Sequence, residues 1–287
     1  MKPICFRILT NQAGAGLGVA AGLMTLVCSN AKADLVYGVS DQLDQLVSFD
    51  SATPGTLDSA IALTGLPSGE QIRGIDWLNG TLYGLGDQSH LYTINPATGF
   101  CTPVGPGFSP ILNGIDFGLA NGTSLLYVAS DLGQNITLNP TTGAATVGPN
   151  YTGASLDAIA YNFVTGTFVG VSADTHDLYN INPATGNASL IGASGVNFLD
   201  RVGLTVSPSS DLAYFSGTVN GQTELFTVNM STGAFSLVGD VGTPGEITSG
   251  LDSIADTGLI TTVPEPSSAA FLAIGGGLAI MFMRRKK

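Results

Sequence analysis

No lysine occurs between Lys32 and Lys286, and Arg73 and Arg201 are the only basic residues between 33 and 283, whereas all 21 Asp and Glu fall between residues 34 and 265. Nucleic acid and anionic lipid need Lys or Arg to neutralise phosphate, so a middle of this charge excludes both as partners. Cysteine is scarce: Cys5, Cys28 and Cys101 are all there is. There are two histidines, His90 and His176, and His176, in Asp174-Thr-His-Asp177, has no second histidine beside it, which disfavours a zinc site. No G-x-S-x-G, H-E-x-x-H or P-loop phrase occurs, which removes the common hydrolase, metalloprotease and NTPase signatures. Charged residues make up only 10% of the 287, while glycine reaches 39 and proline 14. That balance excludes a helical bundle and describes a turn-rich β protein.

Both ends read as addresses. Lys2 and Arg7 precede an apolar, small-residue stretch over 13–28 and then Ala31-Lys32-Ala33, the layout of a secretory leader with an A-x-A cleavage site. Cleavage after Ala33 starts the mature chain at Asp34, takes Cys5 and Cys28 with the leader, and leaves Cys101 as a single packed thiol unable to form an internal disulfide. A lipoprotein signal at Cys28 is the competing reading, disfavoured because Val27 stands where a small residue is expected. At the other end, Val263-Pro264-Glu265-Pro266 is followed by an apolar run over 269–283 and by Arg284-Arg285-Lys286-Lys287. Fifteen helical residues reach about 22 Å, short of a full bilayer core, and the glycines at 275–277 weaken the helix further. A short motif, a marginal span and a basic end point to sorting more than to a plain anchor.

The middle repeats. Residues 91–99 (LYTINPATG), 135–143 (NITLNPTTG), 178–186 (LYNINPATG) and 225–233 (LFTVNMSTG) are versions of one phrase, with a degenerate copy ending at Asp50. The marker positions Asp50, Asn95, Asn139, Asn182 and Asn229 recur at spacings of 45, 44, 43 and 47 residues. Each phrase is an alternating strand running into a turn, and each is followed by an outer strand (for example 189–192). Each is preceded by a second strand (82–85, 126–129, 168–171, 213–216) and by a first strand (73–77, 113–117, 157–161, 202–206). Four short antiparallel strands in about 44 residues is the period of a propeller blade.

The first unit lacks its first strand, while residues 252–255 form one with no blade of their own. Pairing that segment with 35–39 closes the ring and leaves no bare edge. Five blades need about 220 residues, which is the length available between 34 and 255. The predicted fold is therefore all-β: a five-bladed β-propeller (34–260) closed by its N- and C-terminal strands, between a signal peptide (1–33) and a C-terminal sorting helix (261–287). An open solenoid and a six-bladed ring with one irregular blade are the alternatives.

Two sets of residues could carry chemistry. Asp41, Asp87, Asp131 and Asp174 each close a second strand on one face, where carboxylate oxygens would suit Ca2+. Asp is also a favoured turn residue, and different blades hold these four apart, so turn-making is the favoured explanation and no cofactor is required. At the channel mouth, Arg73, Asn113, Asp157, Arg201 and Asp252 stand at or beside the starts of inner strands; they would hold a small polar ligand or, preferably, pair with one another. The recurrent rings Tyr37, Tyr83, Tyr127, Phe168 and Tyr214 are expected in the packed core rather than in a sugar-stacking row.

The tail formed by Val263, Pro264, Glu265 and Pro266, the apolar run and the terminal basic cluster resembles the PEP-CTERM signal of Gram-negative bacteria. That resemblance implies processing by a membrane exosortase and a link with exopolysaccharide production. The phrases at 91–99, 74–77 and 114–117 are similar to those of a bacterial family known as domain of unknown function 4394, a resemblance that implies no activity. The expected protein is a monomeric propeller, exported across the inner membrane, anchored there transiently by its tail, and then placed at the cell surface or in the extracellular matrix in a binding or structural role. A Ca2+-dependent propeller hydrolase or lactonase acting on a small extracellular substrate is the enzymatic alternative.

Overall fold

A computed structural model describes residues 32–262 apart from 41, 42, 113, 115, 123, 248 and 249. The leader with Ala31, and the tail with Val263, Pro264, Glu265, Pro266, Arg284 and Arg285, lie outside the described residues, as do Asp41 and Asn113. The described chain folds into five four-stranded antiparallel sheets. Blade I contains β1 (Lys32–Ser40), β2 (Gln45–Asp50) and β3 (Leu57–Ala62). Blade II follows with β4 (Ile72–Leu78), β5 (Thr81–Gly86), β6 (Leu91–Ile94) and β7 (Cys101–Val104). Blade III has β8 (Phe117–Asn121), β9 (Leu126–Ser130), β10 (Asn135–Leu138) and β11 (Ala145–Val147). Blade IV has β12 (Ala158–Asn162), β13 (Thr167–Ser172), β14 (Asp177–Asn182) and β15 (Asn187–Ala193). Blade V has β16 (Leu199–Val206), β17 (Ala213–Val219), β18 (Gln222–Val228) and β19 (Phe235–Asp240).

The last strand, β20 (Ser253–Thr262), returns to become the innermost strand of blade I, giving the order β20-β1-β2-β3. Its register, Val39 opposite Ser253 and Tyr37 opposite Ala255, is the closure expected from the orphan strand phrases. The inner strands β4, β8, β12, β16 and β20 follow one another around the axis, and β20 meets β4 to complete the ring. Buried apolar residues form five clusters, one at each blade-to-blade contact.

The repeated phrase has a double role. In each blade the Asn or Asp side chain accepts a hydrogen bond from the backbone two residues on, as Asn95 does from Ala97 N at 2.9 Å and Asn139 from Thr141 N at 2.9 Å. The closing glycine N–H then donates to the carbonyl of that Asn, at 2.8 Å for Gly99, Gly143, Gly186 and Gly233. Gly143 sits at φ +70, and a Cβ there would strike the Val104 carbonyl oxygen of the preceding blade. The turn thus needs glycine both for its left-handed backbone and for the approach of the next blade.

One first strand starts late. The phrase at 113–117 would begin blade III near residue 113, but β8 begins at Phe117. Gly114 has φ +122, which interrupts the extended backbone before the strand can form.

Candidate functional site

The channel mouth is built by two bulged inner strands. The register of β4 on β5 slips between Ile72 and Gly74, and that of β16 on β17 between Leu199 and Gly203, so Arg73 and Arg201 both occupy bulges. Arg201 has a left-handed backbone, φ 68. Bulges re-aim a side chain out of the pleat, and both guanidinium groups turn to Asp252, at 2.9 Å from Arg73 Nη1 and 3.6 Å from Arg201 Nη1. Arg73 also donates to Gln71 Oε1 at 3.0 Å and lies 3.9 Å from Asp87. The Asp252 side chain is 2% exposed. Burial raises its pKa, and the two arginines pull it part of the way back. Asp157 Oδ2 accepts from Ala173 N of its own blade at 2.6 Å. The structure gathers Arg73, Arg201 and Asp252 at the mouth. A recess of about 320 Å3 beside Arg73 is lined by Asp87, Gln88 and Phe117.

Asp87, Asp131 and Asp174 stand just after β5, β9 and β13, each in its own blade. Among the described residues no three His, Cys, Asp or Glu side chains converge as metal ligands. Asp87 instead accepts from Gln71 N at 3.1 Å, tying the end of one strand to the approach of its neighbour.

Sequence reasoning overlooked two buried groupings. Glu70, 5% exposed, accepts from the Tyr92 hydroxyl at 2.6 Å and lies 3.0 Å from His90 Nδ1. Burial, and then the Glu70 carboxylate, hold the Tyr92 phenol well above its ordinary pKa. Glu70 is one of only four glutamates, and that rarity was the available signal. The second grouping lies where the ring closes: Asp34, Asp256 and Tyr214, with the Tyr214 hydroxyl donating to Asp34 Oδ2 at 3.0 Å.

The aromatic row is only partly core. Phe168 and Tyr214 are buried, whereas Tyr37, Tyr83 and Tyr127 are half-buried. Tyr127 lines an open groove of about 640 Å3 between blades III and IV. Blade III has the shortest outer strand, the three residues of β11, and the III–IV contact has the smallest apolar cluster. With less to fill the contact, a groove remains. Thr137, Thr146 and Thr167 supply hydroxyls along it, Asn180 and Asn182 supply amides, and none of its lining residues is charged.

These features define an all-β, five-bladed propeller with a self-paired channel mouth and an uncharged lateral groove. The chain matches the family described as Domain of unknown function (DUF4394) over residues 45–251, and it belongs to that family. Residues 262–287 match the PEP-CTERM protein-sorting motif, which makes this an exported protein processed by exosortase at the membrane. No curated protein matches. Among solved structures, a structural genomics protein of unknown function from Bacteroides thetaiotaomicron VPI-5482 is similar at 19% identity and TM-score 0.54, over 80% of this chain and 66% of that one. The chain thus spans just under two thirds of that protein, and the likeness concerns the fold alone. A chain of a nidogen/laminin complex is similar at 10% identity and TM-score 0.49, over 78% of this chain and 98% of that one.

Proposed function

We propose that the processed propeller acts at the cell surface or in the extracellular matrix as a non-catalytic, monomeric binding module for neutral exopolysaccharide. The groove between blades III and IV carries this reading. An uncharged groove about 640 Å3 in volume, open at the surface and combining Tyr127 with threonine hydroxyls and asparagine amides, suits a sugar chain. Rings cover the apolar faces of sugars, while hydroxyls and amides exchange hydrogen bonds with their rims. The channel mouth supports a binding role more than a hydrolytic one, because its buried carboxylate, Asp252, is engaged by Arg73 and Arg201.

Affinity electrophoresis of the processed protein through gels containing dextran or alginate tests the proposal. Retardation by the neutral polymer, lost in Tyr127→Ala and kept in Tyr83→Ala, is the expected result. Retardation by alginate alone, or a dextran effect insensitive to Tyr127, would overturn it.

A further inference from the structure

The seam that closes the ring buries three carboxyl groups from different strands. Asp34 is fully buried, Asp256 is 3% exposed and Asp76 is 9% exposed. The Asp34 carboxylate is supplied with donors: Ser210 Oγ at 2.6 Å and Tyr214 OH at 3.0 Å on Oδ2, and Ser209 Oγ at 3.3 Å on Oδ1. Asp256 is less fully supplied. Its Oδ1 accepts from Gly258 N at 2.6 Å and the Ser207 hydroxyl bonds its carboxyl, while Oδ2 is sealed from solvent without a close donor of its own. Asp256 stands opposite Val36, so its side chain shares a face of blade I with that of Asp34. The charge of Asp34 reaches Asp256, and that of Asp256 reaches Asp76. An unpaired buried carboxylate is strongly unfavourable, and either a bound proton or a counter-charge relieves it.

Few cations are available to supply one. Once the leader is removed after Ala33, Lys32 goes with it, and Arg73 and Arg201 are the only Lys or Arg left up to residue 283. Both of these bind Asp252 at the channel mouth. His90 lies against Glu70, and His176 Nε2 lies 2.9 Å from the Phe198 carbonyl. A metal would need three converging ligands, and the described residues offer no such group.

We propose that the missing cation is the α-ammonium of Asp34 itself, created by leader removal and captured in the closing seam of the propeller. The proposal rests on the export reading of the leader. Water hydrolyses the Ala33–Asp34 amide, the Ala33 carboxylate departs with the leader, and the freed Asp34 amine takes up a proton. The new charge arises where the Asp34 amide now donates to Ser51 Oγ at 2.9 Å, and Ser51 Oγ lies 3.2 Å from the Tyr214 hydroxyl that donates to the Asp34 carboxylate. Ala33 and Asp34 are both fully buried in β1, so the bond is out of reach in the closed ring and cleavage precedes closure. Leader removal therefore also stabilises the closed ring.

The test compares the protein processed in an exporting host with the same chain acetylated at the Asp34 amine, each with and without Asp256→Asn. In the free-amine chain, Asp256→Asn should lower the folding equilibrium constant about tenfold, the equivalent of one lost pKa unit of interaction. In the acetylated chain the same change should raise it, since it removes an unbalanced carboxylate. The same sign in both backgrounds would overturn the proposal. If Asp256→Asn does not fold, amine labelling of the unmutated folded chain decides: at pH 8 the Asp34 amine should be protected until denaturant is added, and free labelling would sink the idea. N-terminal sequencing separates the two premises. A start other than Asp34 overturns the leader reading and the capture together; a start at Asp34 with a reactive amine overturns the capture alone.

Discussion

Arg73 Nη1 lies 2.9 Å from Asp252 Oδ1, an ion pair between residues 179 positions apart that ties β4 of blade II to the entry of β20. It stands at the junction between the last inner strand and the first complete blade. Because the Asp252 end of the pair is buried, its worth shows when one side is removed. Breaking such a pair costs about 3–5 kcal/mol, since the remaining charge is stranded.

Asp252→Ala should therefore lower stability by about 3 kcal/mol, leaving two arginines facing each other without their anion. Arg73→Met should cost less, because Arg201 remains 3.6 Å from the carboxylate. Urea unfolding of the two variants checks the order; an Arg73→Met loss larger than that of Asp252→Ala would contradict it.

Two turn glycines separate two costs. Gly143→Ala suffers both a left-handed backbone and a clash with the Val104 carbonyl, whereas Gly221→Ala, at φ +81 with open space around it, suffers only the first. Left-handed backbone at a non-glycine residue costs roughly 1–2 kcal/mol. Thermal melts should place Gly143→Ala well below Gly221→Ala.

Burial pushes Asp76 up to about 7, against the two backbone N–H groups of Asn121 and Trp77 that favour its charged form. A carboxyl raised in the folded state binds protons that the unfolded chain has released. The stability it contributes is full below the unfolded value near 4 and is lost as pH rises through about 7. Unfolding free energies at pH 5.5 should exceed those at pH 8.5, and Asp76→Asn should flatten the difference.

Calcium should leave the melting temperature unchanged at millimolar concentration. Asp87, Asp131 and Asp174 lie on separate blades, and an oxygen-ligated ion needs six to eight converging donors. A rise of several degrees in a calorimetric scan would show that the acidic face gathers an ion after all.

Cys101 is fully buried, and its thiol is pushed up to about 11 by burial, against a lowering hydrogen bond from the Thr64 backbone. Since the thiolate is the reactive form, the processed protein should show no reaction with a disulfide reagent at pH 8 until denaturant is added. Absorbance of the released thiolate before and after unfolding measures this directly.

The ring was legible because its signals are local and repeated. The Asn-Pro-x-Thr-Gly turns, the strand alternation and the orphan strand at 252–255 together predict five blades and their closure. The start of β8 was not legible, since the phrase at 113–117 looks like its siblings and only Gly114, at φ +122, breaks it. The bulges at Arg73 and Arg201 were equally hidden. A slip in register depends on the partner strand, and no sequence pattern in the bulged strand announces where the arginine will point.

Tyr127 shows the same limit. Its spacing is that of a core ring, yet it is half-buried, as Tyr37 and Tyr83 are, and it lines the groove between blades III and IV. Asp34 reads in the chain as the first residue after a leader; its burial with Asp256 appears only when β20 returns.

The blade count, the turn chemistry, the closing strand and the sorting tail can each be read from residues within one repeat or one end of the chain. Which charges meet, which carboxyl oxygen is sealed away and where a groove opens follow only from the folded ring. Those outcomes depend on how neighbouring blades pack, and burial turns the spacing between distant side chains into electrostatic energy.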